Sequence, residues 1–331
     1  MRDHIRWNTT FNQQSLIVKV SAAVTIIMFI GGLINAVLSG ITFQNKELRN
    51  VGCGIYLLAS SVTSLLTISI FTVKFWFLAL THMTPTMDVS AVSGGCKSIE
   101  PLLKIFLYLD TWLNACVAIE RAINVSKGVS FNKAKSRYIA RWLLVILPVF
   151  VIGSLIHEPI QREAFEFETD ANATLDKNGT SANTRDNYVY CIARYSPALQ
   201  NYNTVVLFFH LLGPFAINLF SAFYIIFGVA RQRAIAQPIR SYKAHVHEQF
   251  NEHKHLLISP LVLAILASPR LVIAVLSPCI DVSQNPWLYL SAYFISFIPS
   301  MVIFIIFVLP SSLYMNKFKD TIRSWKQRLC G

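Results

Sequence analysis

Residues 96–123 read CKSIEPLLKIFLYLDTWLNACVAIERAI, and between Lys104 and Glu120 the only charged residue is Asp110. The interval from Cys96 to Arg121 amounts to about 37 Å of helix at 1.5 Å per residue, enough to cross the ~30 Å hydrocarbon core of a bilayer. Outward from it the same pattern recurs. Residues 20–45 and 50–73 contain no Asp, Glu, Lys or Arg, and each run exceeds the ~20 apolar residues that a transmembrane helix needs. Of the 331 residues, 54% are hydrophobic and only 14% charged, against about 25% charge in soluble domains.

Hydropathy predicts seven spans, at 16–43, 53–78, 96–123, 138–157, 203–230, 256–278 and 286–309. Helices are expected, because a lipid-exposed backbone must satisfy its own hydrogen bonds, and continuous apolar runs lack the alternation of a barrel strand. The fold class is therefore all-α: a seven-helix transmembrane bundle over 16–309, preceded by a tail at 1–15 and followed by an amphipathic membrane-surface helix within 310–331. The first run is too long for a signal-peptide core and reads as an anchor that stays.

Basic residues set the orientation. Lys46 and Arg49, then the stretches 127–141 and 231–254, then Lys317, Lys319, Arg323, Lys326 and Arg328 all fall on one side of the predicted bundle. The opposite side is poorer in Lys and Arg, so the richer side is expected to be cytoplasmic. The N-terminus then lies outside, in a multi-pass protein expected at the plasma membrane. The sequons at Asn8, Asn172 and Asn178 fall on that outside face and are candidate glycosylation sites. The sequon at Asn124 falls inside. The net charge of +12 could suggest nucleic acid, but no soluble stretch is long enough to fold a reader domain, so the expected partner of this charge is the bilayer. The loop 158–196 is long, acidic and polar, and Tyr188-Val189-Tyr190-Cys191-Ile192 alternates as a short strand would. Six cysteines are too few for a disulfide scaffold.

With Cys96 opening the third span and Ala118-Ile119-Glu120-Arg121-Ala122 closing it, the chain resembles the rhodopsin-like G-protein-coupled receptor family, whose third helix carries a cysteine and an Asp/Glu-Arg-Tyr triplet at its two ends. Further likenesses cover most of the chain. They are Gly32-Leu33-Ile34-Asn35 in the first span, Pro214 in the fifth, Pro269 in the sixth, and Leu309-Pro310-Ser311-Ser312-Leu313-Tyr314, similar to a degraded Asn-Pro-x-x-Tyr motif. The departures are Ala122 in place of the triplet's Tyr, Leu309 in place of the Asn, no Asp in the second span, and Leu266-Ala267-Ser268-Pro269 in place of Cys-Trp-x-Pro. A divergent, invertebrate-type, peptide-receptor-like member fits this pattern best.

The resemblance implies roles for named residues. Cys96 and Cys191 would form a disulfide closing a loop of about 95 residues, worth ~4–5 kcal/mol in the chain-entropy model; two unpaired thiols are the alternative. Arg121 would pair with Glu120 at rest and line the cavity that receives a heterotrimeric G protein, with Pro310 and Tyr314 in the same switch; a juxtamembrane Arg snorkelling to phosphate is the bland reading. Asp110, some 16 Å deeper along the helix, would form a central polar site with Asn35. It would either hold a sodium ion or stay protonated and hydrogen-bonded to Ser60, Ser61, Thr63 or Ser64. Lys104, His210 and Arg270 are the pocket candidates, and two cations there favour an extracellular ligand that is a peptide or carries an anionic group. Lys104 could instead pair with Glu100. Leu103 stands where amine receptors carry an Asp, and the seventh span has no Lys for retinal.

In the tail, Phe318, Ile322, Trp325 and Leu329 fall within about 60° of a helical wheel, flanked by basic residues, as in a helix lying on the inner leaflet. Cys330 is a candidate for palmitoylation or a free thiol. His245, His247, His253 and His255 read as solvated rather than zinc-binding. No catalytic motif is present, so no enzyme is expected, and apart from the sodium ion no cofactor is expected. The competing readings are a channel or transporter, which would want polar faces and repeats that are absent here, and a structural membrane protein. On the receptor reading, ligand binding shifts a population of helix arrangements that bend at Pro214 and Pro269.

Overall fold

The computed structural model describes residues 15–83, 89–170, 185–228, 230–231, 235, 259–269, 271–272 and 286–330. Among them run α1 (Leu16–Phe43), α2 (Gly52–Met83), α3 (Val89–Lys127), α4 (Lys133–Leu155), the single turn α5 (His157–Ile160), the strands β1 (Arg162–Asp170) and β2 (Arg185–Ala193), α6 (Pro197–Phe223), α7 (Ser259–Pro269), α8 (Pro286–Ile295) and α9 (Ser312–Cys330). Five helices, α1 to α4 and α6 with their extensions, are long and apolar enough to cross a membrane. The protein is a helical membrane protein.

The bundle has an apolar core that also encloses a set of polar residues, and its outer surface is apolar as well. Ile27, Val145, Val149, Phe220 and Ile265 are each more than half exposed, whereas Ser60, Ser64, Thr67, Asp110 and Asn114 are buried. The apolar exterior is what sets it apart from a soluble protein; in lipid, interhelical hydrogen bonds and close packing hold helices together. Several buried hydroxyls bond back to their own helix, as Ser21 does to the Ile17 carbonyl and Thr25 to the Ser21 carbonyl, both at 2.7 Å.

α1 has the expected bounds. α3 does not start at Cys96 but at Val89. The small residues ahead of Cys96 continue the helix, and the ring of Phe77 lies where a Cβ on Gly95 would come within 2.3 Å of it. α4 begins five residues before the expected boundary, because Asn132 caps it by accepting from the Lys135 N–H at 3.0 Å. Its first turns therefore carry Lys133, Lys135 and Arg137 on a helix rather than in a connection. α6 starts at Pro197 behind a Ser196 cap and ends in a π-helical turn, Tyr224–Gly228, beyond the reach of a simple hydropathy boundary.

The strand expected around 188–192 is the core of β2, and it has an unexpected partner. β1 pairs with β2 in antiparallel register, with Ala164 opposite Cys191 and Phe165 opposite Tyr190. The chain is thus helical apart from this one hairpin among the described residues. Cys191 is bridged to Cys96 of α3 with a Cα–Cα distance of 5.5 Å, ordinary for a disulfide.

The seventh run is not the continuous helix its hydropathy suggests. α8 gives way to a 3₁₀ turn, Ile298–Met301, and then to a π-helical turn, Phe304–Val308. Pro299 supplies no N–H to the helical ladder, and Ser296 Oγ donates back to the Tyr293 carbonyl at 2.5 Å. At this break the Phe304 N–H is satisfied by Asn35 Oδ1 of α1, at 2.8 Å. Asn35 thus repairs the backbone of another helix. Asn35→Leu leaves that donor buried and unpaired, at a cost of about 1–3 kcal/mol; a thermal-unfolding midpoint equal to that of the wild type would refute this role.

Candidate functional site

Three polar layers lie along α3. At its Lys127 end, Arg121 is 5% exposed. Its Nη1 donates to Ser259 Oγ of α7 at 2.5 Å, and its guanidinium sits 4.8 Å from the ring centroid of Phe307 in the seventh run. Arg121 Nε makes no hydrogen bond. Glu120 turns elsewhere: its Oε1 accepts from Ser136 of α4, and the Ser136 hydroxyl in turn accepts from the Gly52 N–H at 3.0 Å. The expected Glu120–Arg121 ion pair is not formed among the described contacts. Adjacent residues on a helix point about 100° apart, so each finds its partner on a different neighbour. Gly52 makes room for this packing, since a Cβ there would fall 2.6 Å from Glu120 Oε2 and 2.9 Å from Ser136 Oγ. Tyr314 of α9 stands beside this layer, its hydroxyl 3.5 Å from Cys53 Sγ and its ring edge-on to Phe43. Pro310 lies in the turn leading into α9.

The middle layer is built around Asp110, which is 1% exposed. Its Oδ1 accepts from Ser60 at 2.7 Å and Ser64 at 2.8 Å, with Thr63 more distant at 3.5 Å; its Oδ2 accepts from Ser300 at 2.9 Å. Of the four hydroxyls expected there, Ser61 turns away to the Leu57 carbonyl, and Thr63 makes its shorter bond, at 3.1 Å, to the Ser60 carbonyl. An ionised carboxylate is an acceptor only and can use every one of these donors, whereas a protonated one needs a hydroxyl to turn and accept. A cavity of about 60 Å³ adjoins the carboxylate, lined also by Asn114, Asn218, Ser296 and Ser300. That is room enough for ordered water. Asn218 Oδ1, buried, has no hydrogen-bond partner. Most of the lining is apolar, Leu107, Leu211, Phe215 and Leu263 among it; its polar part is one carboxylate with hydroxyl and amide oxygens, the oxygen donors a sodium ion would need. Asn35 is not part of this layer; it serves the break in the seventh run.

The layer at the disulfide end of α3 is ionic. Glu158 of α5, with no exposed side-chain surface, receives Lys104 of α3 on one oxygen and Arg162 of β1 on the other, the latter at 2.9 Å. Glu100 pairs instead with Lys74 of α2 at 2.5 Å, and Lys74 also donates to the Tyr293 hydroxyl at 3.2 Å. Burial and the nearby Glu158 carboxylate push the Tyr195 hydroxyl up to about 12. Lys104 is therefore neither the open pocket cation nor the partner of Glu100 that its spacing suggested, because a buried carboxylate from another element out-competes both. His210 is not a pocket residue either. It is 1% exposed, stacks on Tyr108 at 4.7 Å, accepts from Trp112 Nε1 at 2.9 Å on Nδ1, and meets Ser154 Oγ at 2.9 Å through Nε2. An indole N–H can only donate, so the imidazole proton sits on Nε2, which donates a hydrogen bond to Ser154 Oγ, whose own hydroxyl donates to the Val151 carbonyl.

Ser136, Ser259, Ser300, Glu158 and Lys74 were not singled out from the sequence. A lysine inside the second apolar run is the one signal that should have been read; the serines carry none. Arg270, the sequons at Asn8, Asn172 and Asn178, the histidine cluster and the Cys330 thiol lie outside the described residues, although α9 extends to Cys330. Of its expected stripe, Phe318 packs on the bundle, edge-on to Phe304 at 5.1 Å, while Ile322 is exposed. The helix is also held by Lys317, whose ammonium is raised above the usual lysine range by its hydrogen bond to Glu47.

Two measurements test these layers. Gly52→Val forces a side chain into the Glu120–Ser136 pair and lowers stability by roughly 1–3 kcal/mol, read as a fall in the unfolding midpoint; an unchanged midpoint would show that the packing is slack. Replacing choline by sodium raises the midpoint of the wild type and leaves Asp110→Asn unaffected; a wild-type midpoint indifferent to sodium favours a proton on Asp110. No protein-family model matches this chain, and no curated protein matches it.

Proposed function

We propose that the chain is a seven-span receptor of the rhodopsin-like type, which passes the binding of an extracellular ligand to a heterotrimeric G protein. In this reading α7 and the broken run 286–308 belong to the sixth and seventh crossings. The N-terminus and the hairpin lie outside the plasma membrane, and α9 rests on the inner leaflet.

The observation that supports this best is on one helix. α3 carries a disulfide to the hairpin near one end and, about 37 Å away along its axis, a buried guanidinium held by Ser259 of α7 and Phe307 of the seventh run. A charge buried among neutral partners is costly. A small gain elsewhere is enough to draw α7 away and give Arg121 to water or to a docking protein. A ligand that binds the resulting open arrangement better shifts the population toward it. Ser259 is the latch in this mechanism, in the place where Glu120 was expected.

The ligand is proposed to be a peptide or a molecule with an anionic group. Lys104 no longer supports that choice, because Glu158 neutralises it, so the cationic argument rests on Arg270.

The test is Arg121→Ala in cells with a nucleotide-exchange readout, basal and after challenge with a ligand library. The expected result is normal surface display with coupling reduced at least about tenfold. Undiminished coupling by a correctly displayed variant would sink the receptor reading, and ion flux independent of any G protein would replace it with a channel.

A further inference from the structure

The Lys127 end of α3 is flanked by two grooves that open on the outer surface of the bundle. One, of about 320 Å³, lies between α3 and α4 and is walled by Ile119, Ile123, Ile139 and Leu143, with Lys127 and Lys135 lining it. The other, of about 340 Å³, lies between α3 and the end of α6 and is walled by Ile119, Ile123, Phe220 and Tyr224, again with Lys127. Both fall within the ~300–1,000 Å³ range of ligand sites. Ile119 and Ile123, 40% and 42% exposed, form the ridge between them, and the grooves converge on Lys127.

We propose that these grooves hold one diacyl anionic phospholipid astride α3, with an acyl chain on each side of the Ile119–Ile123 ridge and the phosphate on Lys127 and Lys135. The argument is one of shape and charge. The walls lie on helices long and apolar enough for a membrane, so hydrocarbon covers them. Two apolar channels meeting at one cation match a lipid with two tails and one phosphate, and match a sterol or a single-chain amphiphile poorly. Lys127 and Lys135 are exposed, and among the described residues neither ammonium forms an ion pair. Lys133, Arg137 and Arg141 add positive charge on the first turns of α4, and basic pockets between helices at such a surface attract anionic headgroups. Glu120, which also lines the first groove, is turned to Ser136; its carboxylate keeps the phosphate at the lysines. This site is independent of the receptor reading, and requires only that the protein sit in a bilayer.

The experiment is native mass spectrometry of the full chain in detergent, titrated with dioleoyl phosphatidylserine, dioleoyl phosphatidylcholine or single-chain lysophosphatidylserine. The expected result is preferential retention of dioleoyl phosphatidylserine. The double variant Lys127→Gln/Lys135→Gln lowers that retention at least about tenfold, since each basic residue near an anionic surface contributes roughly fivefold. Lys319→Gln/Arg323→Gln, on the amphipathic α9, leaves it unchanged. All four substitutions are at exposed positions, and an unaltered unfolding midpoint confirms the fold. Retention that is equal for the choline lipid, unchanged in the first double variant, or lowered equally in the second overturns the site. Equal retention of the single-chain lipid overturns the two-groove arrangement, and competition by millimolar inorganic phosphate would show an anion site that needs no lipid.

Discussion

A carboxylate at the centre of an apolar bundle has to be solvated by the protein itself, and Asp110 sets the arrangement of the elements around it. Two of its close donors, Ser60 and Ser64, are one turn apart on α2, and the third, Ser300, stands on the 3₁₀ turn of the seventh run. One residue of α3 thereby fixes the rotation of α2 about its axis and the height of a segment far away in sequence. Hydrocarbon supplies no substitute donors, so register errors among these three elements are penalised much more steeply than apolar packing alone would penalise them. Helix–helix attraction in lipid is otherwise weakly directional, because lipid tails are as apolar as the side chains they replace.

The same economy explains the irregular seventh run. A helix broken by Pro299 and two non-α turns would normally be excluded from a bilayer, because its freed backbone groups lack water. It is tolerated where another helix supplies the missing partner, as Asn35 does for Phe304. The irregularity also brings Phe307 against Arg121, and Phe304 against Phe318 of α9. The polar centre, the Lys127 end of α3 and α9 are thus joined through one segment.

Much of the architecture was legible in the sequence because lipid imposes a coarse rule, the absence of charge over a membrane's thickness. α1 was recovered at Leu16–Phe43, and the hydroxyl partners of Asp110 follow from residue type on the second span, whereas the Cys96–Cys191 pairing came from the family resemblance. What could not be read was choice among partners. Glu100 was the local partner for Lys104 and Glu120 the local partner for Arg121, yet Glu158 and Ser259 hold them, from elements 54 and 138 positions away. Spacing along a helix reports only what its own surface offers, and in a bundle the opposite surface decides. His210 misled for the same reason: a polar ring in an apolar run suggests a ligand, whereas Trp112 and Ser154 consume both of its nitrogens. β1 was missed although Phe165-Glu166-Phe167-Glu168 alternates as a strand does, because the acidic, polar character of the whole loop outweighed so short a period.

The hairpin is moored to the bundle at two separate points. The disulfide holds β2 to α3 through Cys191, and Glu158, buried between Lys104 and Arg162, holds the root of β1 to the same helix. A flap fastened at one point can swivel about it; fastened at two, it keeps one fixed bearing and transmits torque. A load on either strand therefore reaches α3 as a turning moment as well as a pull.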